Sequence, residues 1–233
     1  MDDYWALQAC LDNGGTIVLQ GWGYYELSQT LEVHSNSTLT SEYGYAYLVA
    51  QPMMLGPIIH ASASGFTLSK LDVSGNKWDR VDMTPLCAHP NGYNIQIDGE
   101  NFTIDDVISE QAMCGTGAEL TGSSFTVQNS LFEGNGFPQD WWWIPGNVPG
   151  AWSDGLTLLT CDYSNIVGNV SDENTDVDLI VGGGDYCNIQ NAWSSNTAVH
   201  AFAGFMVEKF MEQYNHSSAT PLYHVIQRSS GST

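Results

Sequence analysis

One phrase returns along this chain at a near-constant interval, and a chain built that way has few folds open to it. The phrase is a short apolar run, an aromatic-Thr-aliphatic or Asn-aliphatic step, and a polar turn rich in Asn and Gly. It recurs at Phe66-Thr67-Leu68, Phe102-Thr103-Ile104, Phe125-Thr126-Val127, Asn165-Ile166 and Asn188-Ile189. Ile104 to Val127 spans 23 residues, as does Ile166 to Ile189. Leu68 to Ile104 spans 36 and Val127 to Ile166 spans 39, so each reads as one 23-residue unit carrying an insertion of 13 or 16. A period in the low twenties, made of β-branched runs and Asn/Gly turns with no helical stretch between them, predicts the coils of a parallel β-helix solenoid.

At the N-terminus, apolar residues at helical spacing across 4–11, ended by Asn13-Gly14-Gly15, predict a short cap helix. Short alternating runs follow through residue 40, so 1–40 is read as the cap and first strands. Coils are expected over 57–76, 94–110, 118–135, 154–174, 176–191 and 199–207, and 208–233 as a tail or C-terminal cap. The whole chain, 1–233, reads as a single domain, with Ile58, Leu68, Ile97, Ile104, Leu120, Val127, Leu156, Ile166, Leu179 and Ile189 as its inward ladders.

Charge narrows the partners. Five Lys and Arg stand against 26 Asp and Glu, a net charge of −21, which excludes nucleic acid and an anionic membrane as natural ligands. Pectate or alginate would need cationic side chains or bridging Ca²⁺ that the sequence does not obviously supply. The five cysteines are too few and too scattered for a disulfide framework, and no CxxC indicates zinc. Cys161 and Cys187, offset by three positions in the repeat, are read as small buried hydrophobes. No apolar run approaches the ~18 residues of a membrane span, and the Asp-rich N-terminus lacks the charge of a signal peptide. The chain as it stands reads as soluble and already mature or trimmed. Sequons at Asn36, Asn101, Asn169 and Asn215, scarce lysine and the low pI fit a secreted or extracellular protein.

Two stretches carry a family resemblance. The opening DDYWALQACLDNGGTIVLQGWGYYELSQTLEVHSNSTLTS resembles the start of pectate-lyase-superfamily proteins, and SDGLTLLTCDYSNIVGNVSDEN resembles their generic repeat. The likeness covers residues 2–207 and implies a right-handed parallel β-helix, all-β apart from the cap helix. It leaves the reaction open, because lyases, hydrolases, epimerases, fructan-transferring enzymes and phage tailspikes share the scaffold. The polygalacturonase pattern is not met: NTDVD and GGDYC lie too close together, Tyr186 replaces an Asp, and the Gly-His-Gly and Arg-x-Lys motifs are absent.

Chemistry is expected at the insertions, since loops on a rigid solenoid build sites. The second insertion carries Trp141, Trp142 and Trp143, and Trp152 follows it. Indole faces stack on sugar rings, and they also seal hydrophobic interiors. The first insertion, 77–90, holds two of the five basic residues, Lys77 and Arg80, with Arg80 expected at a polar groove. Aligning Leu156 with Leu179 puts Asp154 beside Val177, between Asp176 and Asp178; aligning Val177 with Val199 puts His200 above Asp178. Those acids and the histidine are expected to climb one strand face. Carboxylates stacked at ~4.8 Å fit the paired acids of a glycoside hydrolase or transglycosylase, one of them kept protonated by the others. Asp162 and Asp185, at the same repeat position, are expected to be turn residues.

The reading is therefore a carbohydrate-active enzyme on an extracellular poly- or oligosaccharide. Its catalytic candidates are Asp154, Asp176 and Asp178 with His200 in support, and its substrate wall is Trp141–Trp143, Trp152 and Arg80. No cofactor is required by it. The runner-up is a uronate lyase or epimerase in which the three aspartates hold Ca²⁺. A non-catalytic, tailspike-like binding or adhesive β-helix, assembled as a homo-oligomer such as a trimer, is the third.

Overall fold

Helix α1 (Tyr4–Asn13) turns Leu7 and Leu11 onto the open end of a stack of coils, closing its hydrophobic interior from the N-terminal side. The structure is a computed structural model and describes residues 1–80, 87, 92–137, 152–195 and 203–207. Each coil gives one strand to each of three parallel sheets, seven strands apiece. In the first sheet the repeat markers lie directly on one another: Leu68 pairs with Ile104, Ile104 with Val127, Val127 with Ile166 and Ile166 with Ile189. The expected inward ladders are buried as read, apart from the half-buried Ile189 near the far end. The parallel stack starts at Thr16, ahead of residue 57, because Thr16–Leu19 pairs in register with Thr38–Ser41.

The aromatic of each repeat phrase fills the interior. Phe66, Phe102 and Phe125 are stacked, with centroids 5.3 and 4.5 Å apart. Polar residues line one interior corner: Asn94, Asn135 and Asn174 are fully buried and spend their amides on backbone carbonyls and each other. Both insertions leave and re-enter at that corner, between the second sheet (strands Leu71–Ser74 and Leu131–Glu133) and the third (strands Ile95–Glu100 and Ser153–Leu158). Lys77, buried at the start of the first insertion, donates its ammonium to the Gly134 and Gly136 carbonyls and lies over the Trp78 and Phe137 rings. One cation thus ties the two insertions together across the intervening coil.

The cysteine expectation is overturned. Cys87 bonds to Cys114 and Cys161 to Cys187, with Cα separations of 5.7 and 5.3 Å, leaving Cys10 free and exposed. The three-position offset argued from strand register, but Cys161 and Cys187 sit in corner turns, where the Cys161 N–H already bonds to the Gly183 carbonyl and chain direction changes. Cys87–Cys114 closes a 27-residue separation and fixes the first insertion to the next coil. Cys114→Ser is expected to cost about 3 kcal/mol, read as a lowered Tm; reductant, which opens both disulfides, should lower the Tm of the parent protein further.

Candidate functional site

The outer face of the third sheet beside the insertion corner gathers the acids. Glu119, in strand Gly115–Ser123, pairs with Gln96 on one side and Thr157 on the other. Gln96 Nε2 donates to Glu119 Oε1 at 3.0 Å, and the Tyr93 phenol lies near the same carboxyl. Burial and the charge of Glu119 hold that phenol far above its ordinary range, so it stays protonated. Sequence reasoning missed both Glu119 and Tyr93. The available signal was the spacing, since Glu119 lies 23 residues after Gln96, one repeat on.

Asp154 stands one strand over. Its Oδ2 accepts from Thr157 Oγ1 at 3.0 Å and its Oδ1 from the Val177 N–H at 3.1 Å, as the Leu156–Leu179 alignment requires. Burial is the largest influence on its carboxyl. The charges of Asp176 and Glu119 add to it, and together they outweigh the two hydrogen bonds and push the pKa up to about 7. Half-buried Asp176 is itself raised by burial. Because Asp154 bonds Thr157, and Thr157 faces Glu119 across the sheet, one threonine side chain stands between the Asp154 carboxyl and a Glu119 that accepts from Gln96.

Asp178 does not join this face. It falls at the register position of Gly155 and, although the adjacent Leu179 also faces the core, its carboxyl enters the interior, in a column otherwise held by Gly117, Gly155 and Gly204. A Cβ on Gly155 would lie 2.5 Å from the Asp178 carbonyl and 2.7 Å from Asn174 Nδ2, so that column belongs to the asparagine corner. The Asp178 carboxyl is fully buried, accepting from Asn174 Nδ2 at 2.9 Å and from Ser194 Oγ. Asp154, Asp176 and Asp178 therefore share no common centre. Among the described residues no three His, Cys, Asp or Glu converge closely enough to hold one metal ion.

The remaining candidates divide. Val177 pairs with Ala203 and Leu179 with Phe205, so Gly204, not His200, sits over Asp178; His200 itself lies outside the described residues, as do Trp141, Trp142 and Trp143. Trp152 is half-buried and bridges Gly136 at the corner, its carbonyl accepting from the Gly115 N–H. Arg80 is 1% exposed, donating from Nη1 to the Gly75 carbonyl at 3.0 Å and from Nη2 to the Met54 carbonyl at 2.6 Å. It clips the first insertion to the preceding corner and contacts no groove, which corrects the substrate-binding expectation. Arg80→Ala is expected to cost about 3 kcal/mol in stability by stranding those carbonyls, while the folded protein keeps its glycan affinity, as calorimetry would read. Asp162 fills the turn role expected of it, its Oδ1 accepting from the Asp185 N–H.

No protein-family model matches the sequence, and neither does any curated protein sequence. Solved structures do resemble the fold. The Dettilon tailspike protein superposes with a TM-score of 0.53 at 14% identity over 92% of this chain and 45% of its own, so this chain spans less than half of that protein. The enzymatically active domain of bacteriophage CBA120 tailspike protein 2 gives 0.42 at 12% identity, over 89% and 41% of the two chains. The A-module of the Azotobacter vinelandii mannuronan C-5 epimerase AlgE4 gives 0.30 at 10%, over 89% and 91%. The first of these likenesses bears on architecture alone.

Proposed function

We propose that this right-handed parallel β-helix is a glycoside hydrolase whose general acid is Asp154 and whose second carboxylate is Glu119. The observation that carries the reading is two acids on one face in unlike settings, Asp154 buried and pushed up to about 7, Glu119 half-buried and accepting from Gln96. Glycosidic cleavage needs that division of labour. Asp154 donates its proton to the leaving oxygen as the bond to the anomeric carbon breaks. Glu119 either takes a proton from the attacking water or attacks that carbon itself. Asp176 serves by its charge, keeping Asp154 protonated in the free enzyme. The net charge of −21 favours a neutral or cationic glycan over a uronate polymer.

Two disulfides, and the lack among the described residues of any helix long and apolar enough to cross a membrane, fit an extracellular setting. The tailspike likeness supports the architecture alone, and the site carries the argument. The test is a panel of neutral polysaccharides assayed for new reducing ends, with a uronate polymer assayed in parallel for the unsaturated uronates that elimination leaves. Reducing ends that disappear in Glu119→Gln are the expected result. Unsaturated products, or glycan binding without turnover on any member of the panel, would point to a lyase or a binding module and end this reading.

A further inference from the structure

The second sheet carries its own row of acids on its outer face, separate from the cluster around Asp154. Glu110, Glu133 and Asp172 end three consecutive strands, Ile108–Glu110, Leu131–Glu133 and Val170–Asp172, and pair in register. A carboxylate therefore rises with each coil at a spacing of ~4.8 Å. On the coil before, Ser74 pairs with Glu110, and Asp72, two residues earlier on the same outer face, faces the row. Asp72 is 7% exposed, and its Oδ1 is buried with no hydrogen-bond partner. Burial and the charges of Glu110 and Glu133 raise its pKa, and Glu133 is raised by burial, Glu110 and Asp172. Asp172 Oδ1 is likewise buried and unmatched.

These groups do not stabilise the fold as the buried asparagines do. Among the described residues their carboxyls receive one side-chain hydrogen bond, from Gln111 Nε2 to Glu110, and no ion pair. The nearby ammonium of Lys77 is committed to two carbonyls. Repulsion between like charges one strand apart is a cost, and a carboxyl at the position of Asp72 is an orphan. A cationic partner removes both. One metal ion does not suit, because the carboxyls are strung along the solenoid axis and do not converge. The neighbouring column offers half-buried Ile108, Leu131 and Val170, and ends on the exposed ring of Trp193. An extended ligand with apolar ring faces and repeated positive charges fits both columns.

We propose that this face binds a glycan segment bearing protonated amines, a run of de-N-acetylated hexosamine units lying along the axis with its ammonium groups over Asp72, Glu110, Glu133 and Asp172. This names a substrate class for the glycan-acting reading and rests on it. The test is calorimetry of the wild-type protein at mildly acidic pH, where the sugar amines carry their protons, with a glucosamine oligomer and with its N-acetylated counterpart of equal length. The amine oligomer is expected to bind at least about tenfold more tightly, from one or more charge-assisted hydrogen bonds, and to weaken as salt rises. Glu133→Gln and Asp172→Asn, which relieve repulsion and so retain the fold, are each expected to weaken it several-fold. Equal affinity for the two oligomers, unchanged affinity in both variants, or stoichiometric Ca²⁺ uptake that displaces the amine oligomer overturns the proposal. Asp154→Asn keeps amine binding if the face is separate from catalysis. Neutral-glycan hydrolysis without amine preference sinks this inference alone, whereas amine binding without hydrolysis of any glycan sinks the catalytic reading alone.

Discussion

Asp154→Asn is expected to lower kcat on the responsive glycan by about 10²–10⁴-fold with little change in KM, because the amide keeps the shape and loses the proton. Wild-type activity should fall as pH rises through about 7, where Asp154 ionises, and the variant's residual rate should lack that limb. Stability falls in the same direction. Between the ordinary value of 3.8 and about 7 the folded protein keeps a proton on Asp154 that the unfolded chain has released, so stability declines as pH rises across that window and then levels. Asparagine has nothing to ionise. The variant should therefore match the parent in acid and exceed it in mild alkali, by no more than about 4 kcal/mol and by less to the extent that solvent reaches the carboxyl. A dead enzyme that melts higher at alkaline pH is a signature that simple misfolding does not produce. A variant that keeps its turnover removes Asp154 from the mechanism.

The repeat spoke clearly for the fold because hydrophobic burial has a period, and the five aliphatic markers that set it in the sequence are the residues that pair. The site was less legible, since alternation counted from inward Leu156 and Leu179 would turn Asp154 in and Asp178 out, and the glycine column at the corner breaks that alternation. Asp154 and Asp178 read as neighbours in the alignment, yet Asp178 falls in the glycine column that faces the asparagine corner. Glu110, Glu133 and Asp172 recur at 23 and 39 residues, the same intervals as the markers, but acids beside Asn- and Gly-rich turns are not distinguishable in the sequence from ordinary turn residues. Arg80 misled for a different reason. A scarce cation in a loop suggests a ligand, but a corner full of free carbonyls is also a ligand, and the guanidinium went there.

Asn135→Ala is expected to be among the most damaging single changes to the fold, at about 3 kcal/mol or more, read as a fall in denaturant midpoint with an unchanged slope. The side chain is fully buried; its Oδ1 accepts from the Ala112 N–H at 2.8 Å, and its amide donates to Asn174 Oδ1 at 2.8 Å. Truncation strands a backbone donor where water does not reach and removes one of the two donors to Asn174 Oδ1. Asn165→Ala is the control. Asn165 also sits in an asparagine ladder, accepting from Asn188 Nδ2 at 3.0 Å, but on the exposed outer surface, where water replaces the bond and the change should stay within about 0.5 kcal/mol. The difference between two equal deletions isolates burial as the cause. It also reaches the catalytic face, because Asn174 bonds Asp178 in the strand whose Val177 N–H holds Asp154. Loosening the interior corner should then broaden the pH profile of whatever activity survives, by letting the Asp154 carboxyl leave the donor and the burial that set its proton affinity.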